Sequence, residues 1–165
     1  MPESIADQII DAIVQLFADI DSDNGTNFWY RPTKVSRIRT WKEAHFDATQ
    51  KHLVFIRPGI ERHYEEASSG WMRGELGLFV LVGRQHGLSA TEAGGAPQPW
   101  TIGERCKRDL LKRLLLWRSL GVPFVYNIMT DEGLEVQHFE EALLPAWALL
   151  ELHFTALYRY NRVSP

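Results

Sequence analysis

The sequence contains a single cysteine, no long apolar run and no marked excess of either charge. With Cys106 alone, an intramolecular disulfide and a zinc site built from several cysteines are excluded. The longest apolar runs, such as Leu76–Val82, are much shorter than the roughly 18–20 residues that a membrane-spanning helix needs. The Met-Pro-Glu-Ser start also lacks the basic residues of a signal peptide. These absences predict a soluble chain of the cytosol and no membrane partner.

The charge balance argues against a nucleic-acid binder that relies on phosphate contacts. Lysine and arginine total 18 and aspartate and glutamate total 21, so the formal net charge is −3 with neutral histidines. Proteins that bind DNA or RNA independently of sequence usually carry a basic excess, because phosphate neutralisation supplies most of their affinity. The length of 165 residues, 45% of them apolar, suits a single globular domain over residues 1–165.

No catalytic signature is present in the sequence. Its histidines form no H-x-x-x-H or H-E-x-x-H pair, its serines no G-x-S-x-G turn, and its glycines no phosphate-binding loop. Cys106 falls on the apolar face of a predicted helix, a position that favours a buried core residue over a nucleophile. We therefore expect no catalytic residue, no cofactor and no metal ligand.

One arrangement of acidic residues leaves an enzymatic alternative open. Glu75, on the predicted central strand, could combine with acids of the segment Glu61–Glu66 in a small metal-dependent nuclease. Gly77 stands where such a core would carry a lysine, two residues after the first acid. His63 could add a metal ligand, although a polar, solvated excursion between strands is the preferred interpretation of Gly59–Gly70.

Two amphipathic helices are predicted from apolar residues that recur every three or four positions. The first covers Ile5–Ile20, where Ser4 and Asp7 resemble a capping box. The second covers Thr101–Leu120 and begins with the Thr-x-x-Glu pattern of a capping box. The apolar face of this second helix consists of Cys106, Leu110, Leu111, Leu114 and Trp117.

Alternating or short apolar runs predict five strands. They are Val35–Trp41, Leu53–Ile56, Glu75–Gln85, Phe124–Met129 and Trp147–Tyr160. Pro58-Gly59 is expected to end the second strand, and His138–Glu141 to form a surface turn or a helix start. Both faces of Glu75–Gln85 are largely apolar, so we expect both to be covered. The glycine- and proline-rich stretch near 86–99 predicts a mobile loop.

These elements predict an α+β fold, with a mixed or antiparallel sheet of about five strands and two main helices packed on one face. Two helices cannot cover both faces of such a sheet. The second face is then covered either by another subunit or by curling of the sheet itself. The pattern therefore indicates self-association.

Aromatic residues outside the periodic segments and the basic face of the second helix are the candidate interface residues. Tryptophan and tyrosine are preferred anchors of protein interfaces. A basic helix face could contact nucleic acid or an acidic partner, although a solvated helix face is the preferred interpretation of the basic set. The candidates are Trp29, Tyr30, Trp71, Trp100, Lys107, Arg108, Lys112 and Arg113.

The order of the elements carries a resemblance to a known family. Its pieces are the helix Ile5–Ile20, the segment Trp29-Tyr30-Arg31-Pro32, the motif Val54–Gly59, the strand Gly74–Arg84, a mid-chain helix and an aromatic last strand, Trp147–Tyr160. This order resembles the tail terminator, or tail-completion, proteins of tailed bacteriophages. The resemblance implies an α/β subunit without catalytic residues, which forms a hexameric ring that caps the finished tail tube. DNA passes the lumen of such a ring without specific binding.

The resemblance also implies partners and a location. The partners are further copies of the chain, the tail tube protein and the head-tail connector or neck protein, with a sheath protein as a further candidate. The subunit is expected in the tail or neck of the virion, after assembly in the host cytoplasm. Two other functions stay open: the metal-dependent nuclease, and an adaptor that presents aromatic loops, such as a toxin-delivery or immunity component.

Overall fold

The computed structural model describes residues 4–20, 28–47, 49–66, 70–85, 99–116, 120–122, 124–129, 136–138 and 147–161. These residues form two helices, α1 (Ile5–Ala18) and α2 (Pro99–Leu116), and a short 3-10 turn at Trp41–Glu43. The strands are β1 (Lys34–Arg37), β2 (His52–Glu65), β3 (Trp71–Gln85), β4 (Val125–Met129), β5 (Val136–His138) and β6 (Trp147–Asn161). Most of the loop predicted near 86–99 lies outside the described residues, and Pro99 already begins α2.

The strands form one mixed sheet in the order β1-β2-β3-β6-β4, and β5 pairs with another stretch of β6. β1 runs parallel to β2, and the other described pairings are antiparallel. α1 packs over β1 and β2, and α2 packs over β3 and β6, on the same face of the sheet. The predicted α+β fold, with a mixed sheet of about five main strands and two helices on one face, is confirmed.

α1 begins at Ile5 because Ser4 caps it. The Ser4 hydroxyl oxygen accepts a hydrogen bond from the backbone N–H of Asp7 at 3.1 Å, and the hydroxyl donates a hydrogen bond to the Asp7 carboxylate at 2.7 Å. The buried side chains of α1 recur at helical spacing and face the sheet. They are Ile9, Ile10, Ile13, Leu16 and Phe17. The predicted cap and apolar stripe are confirmed, although the helix ends at Ala18, two residues before the predicted end.

α2 buries one residue in every helical turn against the sheet. These residues are Ile102, Cys106, Leu110 and Leu114. Pro99 is the first residue of the helix, a position where the missing proline N–H leaves no hydrogen bond unmade. Thr101 is therefore the third helical residue, and the capping box predicted there is wrong. Cys106 is 1% exposed, which confirms its core position, whereas Trp117 lies outside the described residues.

β3 supplies the core on the side of the sheet that faces the helices. Its buried residues there, each at most 1% exposed, are Leu76, Leu78, Val80 and Val82. On the other side, Leu81 and Gly83 are buried beside a second, smaller cluster that includes Ile38 and Phe46. Residues of Glu75–Phe79 on that side are only half-buried. Cover on both faces, as predicted, therefore holds for one end of β3 within the described residues.

Pro58-Gly59 does not end β2, which corrects the prediction of a short second strand. The strand continues to Glu65, and its pairing with β3 is irregular just after the proline. An irregularity of this kind lets a residue without an N–H remain within a strand. Gly59 is required there, because a Cβ would lie 2.6 Å from the Phe79 ring. Most of the predicted polar excursion at Gly59–Gly70 is instead one arm of the β2–β3 hairpin.

Two further boundaries differ from the sequence-based expectation. β1 ends at Arg37 and a 3-10 turn begins at Trp41, whereas the sequence predicts one strand over Val35–Trp41. His138 is the last residue of β5, so the surface turn or helix start predicted at His138–Glu141 is wrong at its first residue. Both strands are short, and short strands depend on pairing with a neighbour more than on a periodic pattern.

Candidate functional site

The segment Phe28–Tyr30 is fixed to α2 by the buried carboxylate of Asp109. One Asp109 oxygen accepts the N–H groups of Trp29 at 3.0 Å and Tyr30 at 2.8 Å, and the other accepts the Trp29 N–H at 3.0 Å. Asp109 is 2% exposed; its burial raises the pKa of the carboxyl group, and the two backbone donors counteract that rise. Asp109 therefore attaches the backbone of the candidate residues Trp29 and Tyr30 to α2.

Cationic side chains lie against all three rings of Phe28–Tyr30. The Lys112 ammonium lies 5.1 Å from the centroid of the first ring, the Arg105 guanidinium 4.3 Å from that of the second, and the Arg84 guanidinium 3.6 Å from that of the third. Such contacts contribute about 0.5–2 kcal/mol each, depending on how far they are desolvated. We name Phe28–Tyr30 together with these three cations the aromatic-basic cluster.

The predicted basic face of α2 divides between different contacts. Lys112 belongs to the aromatic-basic cluster, and the Arg113 Nε donates to a backbone carbonyl in the last turn of α1 at 3.2 Å. Lys107 pairs with Glu104 at 2.5 Å, and Arg108 is exposed. The four basic candidates of this helix therefore do not form one continuous surface.

Of the exposed tryptophans, Trp71 lies far from the aromatic-basic cluster. Trp29 is 52% exposed, and Trp100, in the first turn of α2, is 63% exposed. Trp71 is 43% exposed and begins β3, whereas Arg84 of the aromatic-basic cluster lies 13 residues further along that strand. At about 3.3 Å per residue, the two ends are about 43 Å apart. The structure thus brings Trp29, Tyr30 and Lys112 together and leaves Trp71 apart from them.

Three residues of this site are absent from the sequence-based candidates: Arg84, Arg105 and Asp109. The spacing of Arg105, Asp109 and Lys112 by four and three residues places them on one side of a helix, and that spacing is the available signal. No sequence signal indicates that Trp29, 80 positions before Asp109, packs on the same side.

A buried histidine lies beside the aromatic-basic cluster. The His52 ring meets the Tyr30 ring edge-on at 6.1 Å between centroids, and His52 is 1% exposed. Neither ring nitrogen of His52 makes a hydrogen bond of normal geometry with the described residues. Burial lowers the pKa of His52 to about 3, the Arg84 charge adds to the shift, and the backbone of Arg31 opposes it. The imidazole is therefore neutral at neutral pH.

On the sheet face opposite the helices, the smaller cluster around Leu81 covers one half. The other half, which lies beside residues 73–79 of β3, carries polar and aromatic side chains. The Arg57 guanidinium contacts the rings of Trp41 and Phe79, 4.8 and 4.5 Å from their centroids. The Phe79 ring in turn meets the His153 ring edge-on at 4.4 Å. Of the described residues, Trp41 of the 3-10 turn contacts this half of the face, and α1 and α2 pack on the opposite face. We name this polar half the uncovered face; its residues are Arg57, Arg62, Tyr64, Arg73, Glu75, Phe79, Glu151, His153 and Arg159.

Of the acids proposed for a nuclease, Glu61 and Glu75 do not converge, and Glu66 is paired with Arg159 of the uncovered face. Glu75 lies on the uncovered face, where its carboxylate accepts hydrogen bonds from the Arg73 guanidinium at 2.8 Å and from the Tyr64 hydroxyl at 3.3 Å. Glu61 lies on the opposite face, because the irregularity in β2 shifts the register, and its carboxylate accepts a hydrogen bond from the Tyr158 hydroxyl. In the described part of the chain, no group of three His, Cys, Asp or Glu side chains is placed to hold a metal ion.

Searches for relatives identify no family. Within the described ranges, no helix is both long enough and apolar enough to cross a membrane. The sequence matches no protein-family model, and no curated protein is significantly similar to it. A functional proposal therefore rests on the surfaces described above.

Proposed function

We propose that the chain is a non-enzymatic structural subunit of a bacteriophage virion, of the tail terminator type. In this role several copies, six in the family that the sequence resembles, close a ring that caps the tail tube and joins it to the head-side connector. The uncovered face carries the proposal, because arginine, histidine and aromatic side chains there remain half-exposed while two helices protect the other face. Arginine and aromatic side chains are enriched at protein interfaces.

The aromatic-basic cluster supports the same role. Trp29 is exposed on a segment that Asp109 holds in place, so a partner that binds there orders few additional side chains. Trp71 offers a second exposed ring at the other end of β3. Two separated anchors suit a subunit that contacts both neighbouring copies and a tube or connector protein.

The proposed partners are copies of the chain, the tail tube protein and the head-tail connector or neck protein, with a sheath protein as a further candidate. DNA crosses the ring lumen without specific binding in this proposal. The net charge of −3 is compatible with a channel that must release phosphate groups. The proposed location is the tail or neck of the virion.

Binding to tail tubes tests the proposal. The purified chain is mixed with tubes assembled from the tail tube protein of the same phage, and capping is scored by electron microscopy and cosedimentation. We expect a particle at one tube end and arrested tube growth, and we expect Trp29→Ala and Trp71→Ala to weaken binding. Phe124→Ala, which removes an exposed aromatic ring outside these anchors, is the matched control. Tubes that stay unbound and continue to grow contradict the proposal.

An assay for DNA cleavage with Mg²⁺ or Mn²⁺ separates the structural role from the nuclease alternative. We expect intact DNA, because Glu75 is engaged by Arg73 and Tyr64 and lies on the other face from Glu61. Cleavage that disappears in Glu75→Ala would refute the non-enzymatic role.

A further inference from the structure

The two helices carry opposite charges. α1 and its C-cap contain Asp7, Asp11 and Asp19 and no basic residue. α2 contains Arg105, Lys107, Arg108, Lys112 and Arg113 against Glu104 and Asp109, a balance of five minus two, or +3. Because α1 lies over β1 and β2 and α2 over β3 and β6, the helix layer is acidic towards one edge of the sheet and basic towards the other.

Asp7 and Asp11, which we name the acidic side of α1, lie towards the edge strand β1 and away from α2. Asp7 is paired with Arg37 of the edge strand β1, and Asp11, whose side chain is 56% exposed, lies 3.8 Å from the same guanidinium. The contact of α2 with α1 through Arg113 is made to a backbone carbonyl and not to an α1 carboxylate. Within one subunit, the cationic partner of Asp7 and Asp11 is therefore Arg37 of β1 and not a basic residue of α2.

The outer side of α2 is directed the other way. Asp109 and Arg113 are one turn apart and face α1 and the segment that follows it. Lys107 is two residues from Asp109, about 200° around the helix at about 100° per residue, and so lies on the side remote from α1. Trp100 is two turns before Lys107 on that side. The outer side of α2 comprises Trp100, Glu104, Lys107, Arg108, Leu111 and Leu115, with a net charge of two minus one, or +1. Trp100 and Leu115 are 63% and 58% exposed.

We infer that copies of the chain associate head to tail, with the outer side of α2 in one copy docked on the acidic side of α1 in the next. Opposite charges then meet at every contact, whereas a two-fold arrangement of either helix would bring like charges together. The exposed Trp100 and Leu115 supply apolar area at the contact. A contact between two different surfaces can repeat around a ring. The inference rests on the proposed function and deepens it by naming the contact between subunits.

Charge reversal tests the contact. The acid-reversed variant is Asp7→Lys with Asp11→Lys, the two acids beside Arg37, and the base-reversed variant is Lys107→Glu with Arg108→Glu. Assembly is measured at low salt by sedimentation velocity and native mass spectrometry. We expect each variant alone to dissociate, with a rise in the dissociation constant of more than roughly tenfold. We expect an equimolar mixture to regain the wild-type size, because opposite charges meet at every contact of an alternating assembly.

A matched control separates the contact from overall charge. Lys34→Glu with Lys51→Glu changes the net charge by the same amount as the base-reversed variant, at two exposed lysines away from α2, and should assemble as the wild type does. Circular dichroism melts establish that each variant is folded. Arg108→Glu alone, which preserves the Lys107–Glu104 pair, is the substitute if the double variant unfolds.

Three outcomes overturn the inference: wild-type protein that is monomeric, reversed variants that assemble like the wild type, or a mixture no larger than its separate components. The outcome for the proposed function is independent. If mixing restores assembly but the particles do not bind tail tubes, the head-to-tail contact stands and the tail terminator role is wrong. If the chain caps tubes but charge reversal has no effect on assembly, the tail terminator role stands and the head-to-tail contact is wrong.

Discussion

Replacing Asp109 by alanine is expected to destabilise the chain and to release the segment Phe28–Tyr30. The carboxylate accepts the N–H groups of Trp29 and Tyr30 at 2.8 to 3.0 Å. A hydrogen bond to a charged acceptor contributes roughly 1.5–3 kcal/mol, so the loss of two amounts to about 3–6 kcal/mol. Alanine also removes the cost of burying the carboxylate, which is the cost that raises the Asp109 pKa. We therefore expect a net loss of about 2–4 kcal/mol in the free energy of unfolding.

Urea and thermal unfolding at pH 7, followed by circular dichroism, measure this loss. For a domain of this size each kcal/mol lowers the Tm by about 2–4 °C, so we expect a decrease of about 4–16 °C. Acrylamide quenching of tryptophan fluorescence should increase as Trp29 is released. Glu104→Ala on the same helix is the control, because its surface pair with Lys107 contributes only about 0.3–0.5 kcal/mol. An Asp109→Ala variant within about 0.5 kcal/mol of that control would refute the anchoring role.

Acidification should destabilise the fold through His52, because its folded pKa of about 3 lies below the ordinary value of 6.5. Above about pH 6.5 the protonation of His52 does not lower the free energy of unfolding. As the pH falls towards 3 this free energy decreases, by about 3 kcal/mol at pH 4.5, because the unfolded chain binds the proton more tightly than the folded chain does. His52→Phe should flatten this dependence in urea titrations, and an unchanged slope would contradict it. Gly74→Ala should cost about 2–3 kcal/mol, because the added Cβ would overlap the Tyr158 ring. Gly77→Ala, whose Cβ would lie 3.3 Å from the nearest oxygen, should lower the Tm by less than half as much, and equal Tm values would refute the difference.

The two helices and the strands β3 and β6 could be predicted because burial of an apolar stripe leaves a local pattern. In β6, alanine and leucine favour a helix, yet the polar residues Glu151, His153 and Thr155 all have odd numbers and so share one side of a strand. The structure confirms the strand: these three residues are half-buried, whereas Leu152 and Phe154 between them are at most 3% exposed. Periodicity therefore outweighed intrinsic propensity in this segment.

The errors lie where a partner strand decides the outcome. Pro58-Gly59 is a stop signal when the sequence is considered alone, but in the folded chain β3 provides a neighbour along which β2 continues past an irregular register. The same irregularity places Glu61 and Glu75 on opposite faces, which residue parity alone does not indicate. The sheet itself therefore separates Glu61 from Glu75, the pair that the sequence placed within reach of each other.

Local patterns specify the two helices and the strands β3 and β6, because periodicity and the Ser4 cap act over a few residues. The contact of Trp29 with Asp109, 80 positions away, and the neighbouring places of an acidic and a basic helix on one sheet arise only in the assembled fold. Strand order and register follow from packing the whole core at once. No local pattern encodes which distant segments that packing brings together.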